Sequence, residues 1–254
     1  MTAFFKMACT NGYKDIVRLL LHHSDRIDLN ARDNTGITAF MTACSNGQID
    51  VVKLLLNHSE RIDLNAKDTH GLTALMIACQ NGQKDVVQWL LEHSERIELN
   101  ARANNGWTSF MIACHYGHKD IVQLLLNNSE RIELNVRSSF QSRKNAFFCA
   151  CENGLKDIVQ MILEHSKRIE LNAKADDGHT AFMAACRNGH KHVVQLLLNY
   201  ADRIELNARD SYGRTALMIT SKRSKRTGRY RACHLRYLDI EEKIRNYEKR
   251  NLLQ

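Results

Sequence analysis

The stretch Asp68-Thr69-His70-Gly71-Leu72-Thr73-Ala74-Leu75-Met76-Ile77-Ala78-Cys79-Gln80-Asn81-Gly82-Gln83-Lys84-Asp85-Val86-Val87-Gln88-Trp89-Leu90-Leu91 reads as a turn, a short helix, a second turn and a longer helix. Asp68 to Gly71 is turn chemistry, with Gly71 able to take the positive φ that a Cβ resists. Thr73 is placed to cap a helix over Ala74 to Gln80, its side chain accepting from the unpaired backbone N–H groups of the first turn. Asn81-Gly82 ends that helix, and Asp85 puts an anion at the start of the next. Val86 to Leu91 then makes that second helix largely apolar. Each helix is about two turns, below the roughly 12 residues at which isolated helices become marginal, so such a unit folds only against neighbours.

Those neighbours are copies of itself. Asn30, Asn65, Asn100, Asn135, Asn172 and Asn207 are spaced by 35, 35, 35, 37 and 35 residues. Gly12, Gly47, Gly82, Gly117, Gly154 and Gly189 keep the same spacing, as do Cys9, Cys44, Cys79, Cys114, Cys151 and Cys186. Three residue types on one ruler mark a repeat array. The expected organisation is a partial unit over 1–29, five units over 30–206 (30–64, 65–99, 100–134, 135–171 and 172–206) and a divergent unit over 207–254. The two-residue slip lies between Asn135 and Cys151, inside the fifth unit from the start.

The run Asp68-x-x-Gly71-x-Thr73-Ala74-Leu75-Met76-x-Ala78-Cys79, then Asn81-Gly82, then Asp85-Val86-Val87-x-x-Leu90-Leu91, resembles the ankyrin repeat over nearly the whole chain. The resemblance implies an all-α solenoid of stacked helix-turn-helix units with β-hairpin-like fingers, and a protein that works by holding another protein. Two departures stand out. The family's Thr-Pro-Leu-His becomes Thr-Ala-Phe-Met or Thr-Ala-Leu-Met, which accounts for much of the absence of proline and removes the hydrogen bonds that the family's His supplies. The usual period of about 33 is lengthened to 35, with the extra residues in stretches such as Ser94 to Asn100. A weaker network of backbone-satisfying bonds is expected on that ground.

Eight cysteines suggest disulfides, but six share one register position on consecutive first helices. Packed helices lie roughly 8–10 Å apart, beyond the roughly 7 Å Cα separation a disulfide spans. They read as small buried hydrophobes in a reducing compartment. Cys114-His115-x-x-His118 and Cys186-x-x-x-His190-x-His192 mimic metal-ligand spacing. His118 and His190, however, fill the family's Gly-His position, and His58, His93 and His165 recur near second-helix ends, where positive charge is favoured. No metal and no cofactor is expected. Nucleophile elbow, phosphate loop and His-Glu-x-x-His are all missing from the sequence, so it is not read as an enzyme. No apolar run reaches the roughly 20 residues of a membrane helix, and the expected location is the cytoplasm, with the nucleus open.

Positions that vary while the scaffold repeats are the candidate contacts. On fingers and the open side of first helices these include His70 and Leu72, Trp107, His115 and Tyr116, His179 and Arg187, and Tyr212 and Arg214. Trp107 leads, because it directly follows Gly106 where other units carry Ile37, Leu72, His179 or Arg214. Exposed Trp, Tyr and Arg are the side chains most often found as interface hot spots. Trp89, replacing a helix leucine, is assigned to the core.

Two places break the pattern. Arg137 to Lys144 replaces the Gly turn and Thr cap with a longer basic finger carrying Phe140, another candidate contact. In the last unit, Lys222-Arg223-Ser224-Lys225-Arg226-Thr227-Gly228-Arg229-Tyr230-Arg231 is read as an insertion before a second helix over Leu235 to Asn251. Residues 214–254 hold 12 Lys and Arg against 4 Asp and Glu, so the whole net charge of +8 sits there. Lys222, Arg223, Lys225, Arg226, Arg229 and Arg231 fit a nuclear-import signal, an acidic partner, a solvated cap or, less readily, nucleic acid. A binder of nucleic acid or an anionic surface is therefore the alternative to a protein-binding scaffold. At the other end, Phe4, Phe5 and Met7 stand where a polar cap belongs, so further repeats upstream or self-association is expected to cover them.

Overall fold

The computed structural model describes residues 2–22, 27–93, 95–139, 142–165, 168–226 and 231–251. Within them the chain is all-helical, the fingers forming turns without strands. It divides into two compact units, residues 1–133 and 134–254.

The first unit holds four helix pairs: α1 (Thr2–Asn11) and α2 (Lys14–His22), α3 (Ala39–Ser45) and α4 (Ile49–Leu56), α5 (Ala74–Gln80) and α6 (Lys84–His93), α7 (Ser109–Tyr116) and α8 (Lys119–Asn127). First helices stack on first helices and second on second. The second unit repeats the arrangement with α9 (Ala146–Glu152) and α10 (Lys156–His165), α11 (Ala181–Asn188) and α12 (Lys191–Leu198), and α13 (Ala216–Arg226) and α14 (Arg231–Asn251).

The elements begin where capping chemistry puts them. Thr38, Thr73, Thr108 and Thr180 each accept a hydrogen bond from the backbone N–H three residues on. The fifth unit does not lose its cap, as its divergent finger suggested: Asn145 Oδ1 accepts from Phe148 N–H at 2.9 Å, while its amide donates to the Glu170 carbonyl. Large aromatics and a leucine on the first helices fill the core, as at Phe5, Phe40, Leu75 and Phe110 in the first unit and Phe147, Phe148 and Phe182 in the second. Burying such a side chain stabilises by roughly 1.5–3 kcal/mol. Beside them run Ala8, Ala43, Ala78 and Ala113 with Cys9, Cys44, Cys79 and Cys114, all buried, small enough to let the helices approach. The seven cysteines whose side chains are described are free, and burial pushes the Cys9 thiol up to about 12.

The lengthened period has a use. Asn65 Nδ2 donates to the Arg96 carbonyl at 2.7 Å and its Oδ1 accepts from Glu98 N–H at 2.9 Å, clamping the connection of the next repeat. Asn30 and Asn100 do the same in the first unit, Asn135 and Asn172 in the second. From the clamped stretch Arg131 reaches back to the Leu91 carbonyl at 3.0 Å, and Arg203 to that of Leu163, satisfying orphan acceptors at the ends of α6 and α10. A second set of bonds crosses between first helices. Gln48, Gln83, His118 and His190 each place a side-chain nitrogen 2.8–3.1 Å from the carbonyl of Thr10, Ser45, Gln80 and Glu152 respectively. These bonds satisfy first-helix carbonyls from positions outside the Thr-Ala-Phe-Met segment.

Other expectations are also revised. Trp89 is half-buried, not core: its ring stacks on His93 at 3.5 Å and carries Lys53 Nζ 4.2 Å above it. His58 lies beyond α4, which stops at Leu56. In the last unit the basic tract is not a plain insertion, because α13 continues through Arg226. The second helix starts at Arg231, earlier than the expected Leu235.

Candidate functional site

Each finger is a small turn locked from inside. Asp68 Oδ1 accepts from His70 N–H at 2.9 Å and Leu72 N–H at 2.7 Å, and Asp33 holds its own finger in the same way. Asp33 is further paired with Lys6, which with the Thr35 hydroxyl holds its carboxyl far below the usual range. In the third finger Ala103 stands in the Asp position, and Asn105 Oδ1 takes over by accepting from Trp107 N–H at 3.0 Å. Adjacent fingers are tied by backbone bonds, Thr69 N–H to the Thr35 carbonyl and Asn104 N–H to that of His70. Side chains after the glycine are thereby held on a rigid row.

In the first unit this row and the adjoining face of the first helices bring five candidates onto one surface: His70, Leu72, Trp107, His115 and Tyr116. Trp107 meets His115 edge-on at 4.9 Å, and His115 meets Tyr116 at 5.1 Å. Tyr116 stacks in turn over His118. Trp107 and His115 are half-buried and Tyr116 is exposed, so the cluster is braced by its own rings while its outer edges stay open. Register places Thr42 and Ser45, then Ile77 and Gln80, beside Ile112 and His115, so this strip carries no Asp, Glu, Lys or Arg.

The second unit is built differently. Glu152, in register with Gln80 and His115, is paired with Lys144 Nζ at 2.6 Å and Arg187 Nη2 at 3.7 Å. Arg187 also meets Asp177 at 3.7 Å. Asp177 lies 2.7 Å from His179 Nδ1, whose Nε2 faces Asp210 at 3.9 Å. Arg214 completes the chain with Nε and Nη2 both 2.7 Å from Asp210 Oδ2, its guanidinium 4.7 Å from the Tyr212 ring. Burial works to raise the carboxyls of Asp177 and Asp210, but hydrogen bonds and cations outweigh it and both lie below their ordinary value.

His179 is therefore not the open finger contact expected from the sequence: it is buried between two carboxylates. Arg187 and Arg214 are spoken for by acids, while Tyr212 is exposed apart from the Arg214 guanidinium against its ring. Sequence reading missed Glu152 and Lys144, although the register shared with Gln80 and Arg187 marked Glu152 once the two-residue slip was allowed for. Phe140 and Arg229 lie outside the described residues, as do the side chains of Arg223, Lys225, Arg226 and Arg231; Lys222 is exposed. His118 and His190 bond carbonyls, and among the described residues no group of His, Cys, Asp and Glu could hold a metal ion. No described helix is long and apolar enough to cross a membrane.

The family model for ankyrin repeats, itself three copies, matches residues 5–103, 95–175 and 147–235. The fold is similar to the crystal structure of the ankyrin repeat domain of Bcl-3, titled a unique member of the IkappaB protein family. The TM-score is 0.74 at 24% identity, covering 85% of this chain and 92% of that one. No curated protein matches by sequence. With matches spanning most of its length and the capped, stacked helix pairs that such repeats require, the chain belongs to the ankyrin repeat family.

Proposed function

We propose that this chain is a binding scaffold that holds a partner protein on the finger and first-helix surface of its first unit, with Trp107 and Tyr116 as anchors. Ankyrin repeat proteins generally mediate contacts between proteins. The observation that supports this surface is the ring cluster of Trp107, His115 and Tyr116 on a strip without formal charge. Aromatic rings already held in place lose little rotamer freedom on binding and bury a large area each. A partner segment that fits is itself uncharged or apolar, because a desolvated charge would meet no counter-charge there. In the second unit Glu152, Asp177 and Asp210 are paired with Lys144, Arg187 and Arg214.

The test is affinity capture from a matched extract with wild type, Trp107→Ala and Tyr116→Ala, each at low and high salt. The proposal expects one partner retained by wild type at both salts and weakened at least tenfold by either substitution. A partner retained by both variants but released by salt would favour the basic segment 222–231 as the binding element, since counterion release makes such binding steeply salt-dependent.

A further inference from the structure

Of the apolar side chains expected to need cover at the start of the chain, Phe5 is buried in register with Phe40, while Phe4 and Met7 are exposed. The fifth finger departs further from the pattern. In the other described fingers the residue two before the helix cap is glycine, and Gly36, Gly71, Gly106, Gly178 and Gly213 hold φ between +73° and +79°. Arg143 stands at that place before Asn145 and keeps the left-handed backbone, with φ +47°. It is the only non-glycine residue among those described to do so.

The finger is otherwise closed like its neighbours. Ser138 takes the place of the aspartate: its N–H donates to the Lys144 carbonyl at 2.9 Å and its Oγ accepts from Lys144 N–H at 3.0 Å, as Asp68 does with Leu72. Glycine serves the other fingers by letting the next one close in. A Cβ on Gly178 would lie 2.5 Å from Ser211 N, and one on Gly36 3.0 Å from Asp68 Cα. Beside Arg143 the link is longer: Asp176 N–H to the Ser142 carbonyl is 3.4 Å, against 2.9–3.1 Å for the corresponding bonds of Thr69, Asn104 and Ser211. Arg143 thus forgoes both relaxed backbone and close finger packing. It gains no contact within the fold, because its side chain is exposed and makes no hydrogen bond or ion pair with a described residue. Strain held without a packing gain is characteristic of residues kept for a contact outside the fold.

We infer that Arg143 is a recognition residue that takes the carboxylate of an acidic side chain on a partner protein, independently of the ring cluster in the first unit. The finger offers one anion position. Residues 134–151 contain no Asp or Glu, and of their three cations Lys144 is held by Glu152 at 2.6 Å and Arg137 is half-buried, which leaves the Arg143 guanidinium open. Its planar fork matches a carboxylate, two parallel N–H donors facing two oxygens. A nucleic-acid strand needs several neighbouring cations to neutralise successive phosphates. The exposed Asp176 and Asp177 of the adjoining finger oppose such a continuous polyanion more than an isolated acidic residue.

The test follows the Lys144 backbone amide of the full chain by NMR at physiological ionic strength. Three probes are titrated in: a capped peptide alternating Ser and Glu, the same peptide with Gln for Glu, and a short oligothymidylate. The Glu peptide is expected to shift the amide to saturation and the Gln peptide to leave it unmoved. Arg143→Gly is expected to weaken Glu-peptide binding about tenfold, while raising the melting temperature by about 2–4 °C as the backbone strain is relieved. Arg143→Lys, which keeps the charge and the strained backbone but not the fork, is expected to weaken binding without raising the melting temperature. Glu-peptide binding that survives Arg143→Gly, a glycine variant that melts no higher than wild type, or an oligothymidylate that saturates the amide at a lower concentration than the Glu peptide would each overturn the inference.

Discussion

Replacing Asn65 by Ala tests whether the clamp, and not only the apolar stack, holds successive repeats together. The substitution removes the amide that donates to the Arg96 carbonyl at 2.7 Å and the acceptor for Glu98 N–H at 2.9 Å. Each bond contributes about 0.5–1.5 kcal/mol net, which puts the pair at about 1–3 kcal/mol. Asn65 is half-buried, so water can reach part of the vacated site, and the lower half of that range, about 1–2 kcal/mol, is expected. With a urea slope of about 1–3 kcal/mol/M, the midpoint should fall by roughly 0.3–2 M at unchanged slope. The control is Asn11→Ala, whose exposed amide bonds the Met7 carbonyl within its own helix and should cost under about 0.5 kcal/mol. Equilibrium urea unfolding followed by circular dichroism decides. Asn65→Ala no worse than Asn11→Ala would mean that the clamp is incidental and that helix stacking alone sets the register.

Gly71 and Gly213 share nearly the same backbone, φ +78° and +73°, but a Cβ at Gly71 would lie 2.4 Å from Asn104 Oδ1 and 2.7 Å from its backbone N, whereas one at Gly213 meets nothing within 4 Å. Gly213→Ala should therefore cost only the left-handed strain of about 1–2 kcal/mol, and Gly71→Ala clearly more; equal melting-temperature losses would show that finger-to-finger packing carries no energy. The buried thiols, with Cys9, Cys149 and Cys186 all near 12, should be inert: a thiol reagent at pH 8 should modify no more than one of the eight cysteines in the folded chain and all eight in denaturant. Asp210 lies below its ordinary value in the folded chain, so its stabilisation is complete above the unfolded carboxyl value near ~3.9 and is lost as pH falls through its own lower value. Asp210→Asn should cost about 1–3 kcal/mol at pH 7, and the gap in urea midpoint should narrow below about pH 4; a gap independent of pH would refute the role given to its charge.

Local chemistry made most of the fold legible before any coordinates. Thr73, Asn81-Gly82 and Asp85 act within a few residues of themselves, so caps, turns and helix limits follow from spacing alone, and the recurrence of Asn, Gly and Cys every 35 residues requires stacking. Bonds between residues more than 30 apart were decided by the tertiary structure. Asn65 looked like a marker on a ruler until its amide met Arg96 and Glu98, and Gln48 and His118 looked unrelated until both reached a carbonyl of the preceding helix. Exposure was decided there too. His179 and Trp107 occupy one register position, yet His179 is enclosed by Asp177 and Asp210 while Trp107 leans on His115 with an edge left open. Register assigns a side chain to a face of the repeat; what covers it depends on the neighbouring repeat, which differs in sequence and is brought alongside only by folding.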